Sequence, residues 1–172
     1  MTTLFTKTIS DVKIKKLKLQ AEFLKQIADA FKNEEVKQLL IKWQGKKYNK
    51  RLLNALKEID EHFYIDNTYS SIYLEYNFYS WQERSFTDEE YGSVYVDDYK
   101  FNVMTLGYGK EIYTEMSDKI NKVIKTYEDS YNKILEQINN IEDIIGQYNT
   151  LTQRMNELNN NTHYMIRHEF DM

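Results

Sequence analysis

The C-terminal third of the sequence carries an apolar stripe too long for one compact domain of this size to bury along a single helix. Between Lys110 and Asn160, apolar side chains recur every three or four residues, which places them on one helix face. A continuous helix there would be about 75 Å long, so its apolar face must pack on the rest of the chain, on a second copy, or back on itself. If the helix breaks, Gly146 is the best candidate for the break, because glycine costs about 1 kcal/mol in a helix interior. The stripe comprises Ile112, Met116, Ile120, Val123, Tyr127, Tyr131, Ile134, Ile138, Ile141, Ile145, Tyr148, Leu151, Met155 and Leu158.

Three shorter helices are predicted before the middle of the chain. The first spans Asp11 to Lys32, capped by Ser10 or Asp11, because its apolar residues alternate at spacings of three and four. Asn33 is the expected N-cap of a second helix that stops at Gly45. Asn49 is the expected N-cap of a third helix, which carries Leu52, Leu53, Leu56 and Ile59 on its buried side.

The apolar period changes to two between His62 and Leu106, which predicts strands. Phe63-Tyr64-Ile65 is a short apolar run, and Ile72 to Tyr79 alternates strictly between a buried and an outer side. Val94-Tyr95-Val96 and Tyr99 to Leu106 are predicted to form a hairpin around Asp97-Asp98. Gly107-Tyr108-Gly109 is interpreted as a flexible separator before the long helix, and Asn159-Asn160-Asn161 as the end of that helix.

These patterns predict one α+β domain over residues 1–172. Residues 1–61 form N-terminal helices, residues 62–108 form a small antiparallel β-sheet, and residues 109–160 form a long C-terminal amphipathic helix or helical pair. Residues 161–172 are a tail, interpreted as a short strand or a frayed end. The sheet is expected to have three or four strands, with one face on the helices and the other rich in tyrosine.

Several classes of function lack their sequence signatures. The chain has no cysteine, which excludes disulfides and thiolate metal sites. It has no nucleophile motif, and neither the His163, His168, Glu169 and Asp171 group nor Asp60-Glu61-His62 follows a metal-ligand spacing. No membrane span or signal peptide is recognised. We therefore expect a cytoplasmic protein without catalytic residues, metal or cofactor.

Charge is strongly segregated along the chain. Residues 1–57 contain 14 Lys/Arg and 5 Asp/Glu, whereas residues 58–109 contain 2 and 11. Such asymmetry indicates charged partners. The acidic middle is either a solubilising loop or a surface whose carboxylates compete with phosphates for the Arg and Lys of a nucleic-acid-binding protein. The candidate partner-binding residues are Glu83, Asp88, Glu89, Glu90, Asp97, Asp98, Tyr95 and Tyr99.

The densest basic-aromatic segment is Trp43-Gln44-Gly45-Lys46-Lys47-Tyr48-Asn49-Lys50-Arg51. It is either a solvated turn between two core helices or a nucleic-acid-binding patch, in which the cations hold phosphates and Tyr48 stacks on a base. The candidate residues are Lys46, Lys47, Tyr48, Lys50 and Arg51. The segment resembles W-x-G-K-x-x-N-K-R segments of small phage and mobile-element proteins, a resemblance that implies no activity.

In size, lack of catalytic motifs, proline-free composition rich in Asn, Lys and Ile, and acidic tyrosine-rich middle, the chain resembles small phage-encoded inhibitors of the anti-CRISPR kind. That resemblance implies a non-enzymatic protein that blocks a bacterial defence nuclease, such as a CRISPR effector or its guide complex, in the host cytoplasm. Two alternatives stay open: a nucleic-acid-binding regulator using the basic N-terminal helices, and a structural coiled-coil protein of a virion or mobile element. A homodimer through the long helix is also expected.

Overall fold

Helices at both ends of the chain enclose a β-region in the middle. The computed structural model describes the backbone of residues 2–78, 85–88, 92–95 and 99–170, and the side chains of residues 11–78 and 99–161. The helices are α1 (Thr2–Lys32), α2 (Glu34–Trp43), α3 (Lys50–Ile59) and α4 (Met116–Phe170). The strands are β1 (Phe63–Asp66), β2 (Ser71–Asn77), β3 (Ser85–Asp88), β4 (Gly92–Tyr95), β5 (Lys100–Tyr108) and β6 (Glu111–Ile112). The predicted α+β class is confirmed.

Four strands form an antiparallel sheet in the order β1-β2-β5-β6, and β3 and β4 pair with each other. The predicted hairpin between the Val94 and Tyr99 strands is therefore wrong. β5 pairs with β2 instead, where Phe101 reaches the aromatic core and meets the ring of Phe78 edge-on at 5.9 Å. This packing outweighs the weak turn preference of Asp97-Asp98, which lies outside the described residues.

One hydrophobic core joins the helices to the inner face of the sheet. Phe31 of α1 meets Phe63 of β1 edge-on, and Phe23 stacks on Phe78 with ring centroids 4.0 Å apart. The predicted inward side of β2 is confirmed, because the alternate residues Ile72, Leu74, Tyr76 and Phe78 are all buried. The predicted outward side of that strand is partly wrong.

Two residues of that outward side, Glu75 and Asn77, are only 6% and 4% exposed. Asn77 donates to Oε2 of Glu75 at 3.3 Å, and the ammonium of Lys100 lies 3.5 Å from Oε1 of the same carboxylate. This hydrogen bond and the cation offset the cost of burying the charge. Alternation of polar and apolar residues alone did not reveal this arrangement.

The first helix runs antiparallel to α4. Lys32 pairs with Glu128, whereas Lys18, two heptads earlier in α1, lies 3.9 Å from Glu142, two heptads later in α4. The helix begins at Thr2, so the predicted cap at Ser10 or Asp11 is wrong. Neither glycine nor proline occurs in this N-terminal stretch, and nothing local stops the helix from extending along its partner.

A tight β5–β6 hairpin replaces the flexible separator expected at residues 107–109. Glu111 and Ile112 pair with Tyr108 and Gly107, so Ile112 belongs to a strand and α4 begins at Met116 instead of near Lys110. A Cβ atom at Gly107 would overlap the backbone carbonyl of Glu111. Glycine is needed there for close approach of two backbones, which residue spacing does not distinguish from flexibility.

The long helix is continuous through the candidate break at Gly146, so the chain forms the single long helix and not the helical pair. Nothing lies within 4 Å of a Cβ built at Gly146, and the cost of one exposed glycine is about 1 kcal/mol, too small to interrupt a helix that continues on both sides. Asn159-Asn160-Asn161 does not end α4 either, and the predicted tail is helical up to Phe170. Asparagine disfavours a helix interior only mildly.

Both predicted asparagine caps are confirmed. Oδ1 of Asn33 accepts from the amide of Glu35, and Oδ1 of Asn49 accepts from the amide of Arg51, each at 2.8 Å. Gly45 follows the end of α2 with a positive φ of 73°, as expected of a helix stop. Within the described part of the chain, no helix combines the length and apolarity that crossing a membrane requires.

Candidate nucleic-acid interface

The basic segment between α2 and α3 is bound to the edge of the sheet. Its Gly45 amide donates to the Ile112 carbonyl, and the Ile112 amide donates to the Lys46 carbonyl, both at 2.9 Å. Two residues further on, the Tyr48 amide donates to the Lys110 carbonyl at 2.8 Å. The segment therefore follows β6 as an irregular additional strand, with Lys47 opposite Glu111.

Both ends of the segment are held as well. Upstream, Oε1 of Gln44 accepts from the amide of Met116 at 3.2 Å, which satisfies one of the free amides at the start of α4. Downstream, Asn49 caps α3. The backbone that carries the cations is thus hydrogen-bonded to α4 and the β5–β6 hairpin, and it continues directly into the capped start of α3.

This arrangement gathers cations from three parts of the chain. Lys46 and Lys47 lie on the segment, Lys50 and Arg51 open α3, and Lys110 occupies the hairpin tip. All five are exposed. We call these five residues together with Tyr48 the basic edge. Lys110 was missed by the sequence analysis because it is 59 residues beyond Arg51, and only the pairing of β6 with the segment reveals it.

Tyr48 is the half-buried aromatic residue of the basic edge. Burial raises the pKa of its phenol above the usual tyrosine value, and the nearby Tyr64 raises it further. The phenol therefore stays neutral at physiological pH and keeps its hydrogen-bond donor. Tyr64 is 38% exposed, and the ammonium of Lys57 lies 5.4 Å from its ring centroid, a cation–π arrangement. A second aromatic ring, which is exposed and carries a cation, thus lies close to the half-buried Tyr48.

A carboxylate also lies at the basic edge, because Glu111 faces Lys47 across the backbone pairing. Five cations against this acid leave a clear positive excess. In protein–nucleic acid complexes, exposed Lys and Arg on an ordered backbone neutralise phosphates, while aromatic rings stack on bases. The basic edge can perform both functions.

The predicted acidic surface is mostly outside the described residues. Glu83, Glu89, Glu90, Asp97 and Asp98 lie there entirely, and Asp88 and Tyr95 are described only in their backbone. Asp88 belongs to strand β3 opposite Gly92, so this part of the expected acidic loop is a hairpin. Tyr99 is 40% exposed. The structure therefore does not bring these candidates together or separate them.

A hydrogen-bonded polar cluster at the end of α3 was not identified from the sequence as a unit. The hydroxyl of Tyr76 donates to Oδ2 of Asp60 at 2.6 Å, Nδ1 of His62 lies 2.6 Å from Oδ1, and Gln26 donates to the Tyr76 hydroxyl at 3.1 Å. The cluster joins α1, the C-cap of α3, the residue before β1, and β2. The sequence does not reveal this cluster because Gln26 and Tyr76 lie far from Asp60 along the chain. Its hydrogen bonds connect separate elements of the fold.

The acidic and histidine groups weighed as metal ligands give no site in the described part of the chain. No group of three His, Cys, Asp or Glu side chains there is placed to hold a metal ion. Asp60 and His62 contact each other and Tyr76. The side chains of His163, His168, Glu169 and Asp171 lie outside the described residues.

No protein-family model matches the chain, and neither a curated protein nor a solved structure is significantly similar to it. A functional proposal therefore depends on the geometry of the residues described above.

Proposed function

We propose that the protein is a non-enzymatic nucleic-acid-binding protein that contacts phosphates through the basic edge. The observation that supports this most directly is the backbone pairing of residues 45–48 with Lys110 to Ile112. This pairing brings the exposed Lys46, Lys47 and Lys110 side by side, and Lys50 and Arg51 follow at the start of α3. Two tyrosines beside them, Tyr48 and Tyr64, supply rings for stacking. No cofactor is required for such binding, and we place the protein in the cytoplasm.

The proposal predicts a steep dependence of affinity on salt. Binding of Lys and Arg to phosphates releases counterions, so the logarithm of the affinity falls linearly with the logarithm of the salt concentration. The slope steepens by about one unit for each phosphate that a cation neutralises. Fluorescence anisotropy with a labelled single strand and a labelled duplex, titrated between roughly 20 and 200 mM salt, measures that slope for both nucleic-acid forms.

The test variant combines Lys47→Ala with Lys110→Ala in the basic edge. The matched control combines Lys125→Ala with Lys133→Ala on the exposed side of α4. Both pairs remove two positive charges from the protein. Only the first pair should weaken binding, with a salt slope reduced by about two. Equal affinity for both variants, or no binding by the unmodified protein at low salt, would reject the basic edge as a nucleic-acid interface.

A second candidate function follows from the acidic middle of the chain. We also propose that the protein acts as an inhibitor of, or an adaptor for, a nucleic-acid-binding protein partner. A defence nuclease or its guide complex, as bound by phage-encoded inhibitors, is an example of such a partner. The negative net charge of residues 58–109 favours this inhibitor function. The pairing of β3 with β4 outside the four-stranded sheet also favours it. If the protein is phage-encoded, its site of action is the host cytoplasm.

The two candidates are distinguished by a pull-down from host lysate with and without nuclease treatment. A protein partner that survives nuclease treatment and no longer binds after Asp97→Lys with Asp98→Lys supports the inhibitor. A partner that is released by nuclease treatment supports binding through nucleic acid instead.

A further inference from the structure

The distal half of α4 has an exposed apolar stripe with coiled-coil spacing. Ile144, Leu151 and Met155 are 64%, 58% and 64% exposed, and Tyr148 and Leu158 on the same face are also exposed. These five positions follow each other at intervals of four, three, four and three, which is the spacing of a heptad core. Soluble monomers rarely leave so many aligned large apolar residues in water.

This stripe is distinct from the face of α4 that packs on α1. The packed face includes Ile120, Val123 and Ile138, which are buried. The exposed stripe is rotated from it. The half-buried Ile141 and the exposed Tyr148 occupy one core position of the heptad, and the exposed Ile144, Leu151 and Leu158 occupy the other. Because α4 is unbroken at Gly146, the stripe is not covered by a helical hairpin of α4 folding back on itself.

The residues that flank the stripe are almost uncharged. Flanking positions in a coiled coil select partners by charge, and here Arg154 is the one charged residue among Asn140, Gln147, Arg154 and Asn161 on one side and Ile138, Ile145, Thr152 and Asn159 on the other. A partner of opposite charge has little to recognise. A second copy meets no like-charge repulsion.

We propose that the distal half of α4 binds a second copy of this chain in an antiparallel coiled coil centred between Tyr148 and Leu151. In this register, Ile144 packs against the partner's Met155, Tyr148 against the partner's Leu151, and Ile141 against the partner's Leu158. Each pair joins the two alternate core positions, as antiparallel packing requires, and Arg154 faces the neutral Gln147 of the partner subunit.

The antiparallel orientation follows from the position of the rest of the molecule. The sheet lies beside the start of α4, roughly 45 Å from Leu151 along the helix. Antiparallel pairing places the two sheets at opposite ends of the dimer, whereas parallel pairing brings both to the same end, where they compete for space. The dimer then carries two basic edges that point away from each other.

Sedimentation over a range of concentrations up to about 100 µM tests the association. Leu151→Asp with Met155→Asp should raise the dimer dissociation constant at least about tenfold. Asn149→Asp with Gln153→Asp adds the same charge on the solvent side of the same turns and should leave it almost unchanged. Circular dichroism verifies that all variants retain their helix content, which is expected because the changed residues are exposed.

A spin label tests the orientation, and the absence of native cysteine makes single labelling direct. Labels at Asn161→Cys should lie roughly 35 Å apart in the antiparallel dimer and about 15 Å apart in a parallel one. A monomeric unmodified protein, a dimer insensitive to the Leu151 and Met155 changes, or the short label distance would each overturn the proposal. Capture of an unrelated helical protein by a monomer would overturn it as well.

Discussion

The hydroxyl of Tyr76 donates a hydrogen bond to Oδ2 of Asp60 across 2.6 Å, joining the C-terminal end of β2 to the C-cap of α3. Tyr76 is fully buried, and hydrogen bonds to charged groups contribute about 1.5–3 kcal/mol each. Tyr76→Phe should therefore lower the free energy of unfolding by about 2 kcal/mol, measured by urea denaturation. Tyr69→Phe, which changes a 74% exposed phenol, should stay within about 0.5 kcal/mol; equal losses would show that the Asp60 contact is unimportant.

Gly107→Ala should separate β6 from β5, because the new Cβ overlaps the Glu111 carbonyl. Since the basic segment is hydrogen-bonded to Ile112 and Lys110, the change should also loosen the basic edge. We expect a loss of stability above about 2 kcal/mol and faster amide exchange at Ile112 and Tyr48. A variant with the same melting temperature as the unmodified protein would contradict the close approach of the Gly107 and Glu111 backbones.

Gly146→Ala should stabilise α4. Nothing lies within 4 Å of the added Cβ, and alanine in an exposed helix interior is favoured over glycine by about 0.5–1 kcal/mol. The gain should appear as a higher helix content and melting temperature. A loss of stability would indicate that a bend at Gly146 is needed in solution.

Alkaline pH should destabilise the protein through Tyr127. Burial raises the pKa of its phenol above the usual tyrosine value, so above about pH 10 the unfolded chain releases this proton first. Stability contributed by the protonated phenol is full below about pH 10 and is lost as pH rises through the folded pKa. Tyr127→Phe should flatten the alkaline decline, measured by urea denaturation from about pH 7 to 11. An unchanged profile for Tyr127→Phe would disprove the assignment.

Local signals predicted the parts of this fold that local chemistry determines. The caps Asn33 and Asn49, the stop at Gly45 and the buried side of β2 all depend on residues within a few positions of each other. The errors had two sources. No local residue stops α1 before Thr2, and one exposed glycine costs too little to interrupt α4 at Gly146, whereas tertiary pairing made a hairpin of residues 107–112. For the same reason, five residues of the basic edge were found from the sequence but Lys110 was not.

The continuity of α4 has a consequence for the cooperativity of unfolding. Up to about Ile145 the helix is buried along one face by α1 and the core, whereas beyond it the side chains described are almost all exposed. The first and last parts of the same helix therefore differ in local stability. Amide exchange should be slow near Ile120 and Val123, where it requires global opening, and much faster from Gln147 onward, where fraying suffices. In the proposed dimer the distal amides gain protection that depends on protein concentration, and the exchange gradient along α4 then reports subunit association.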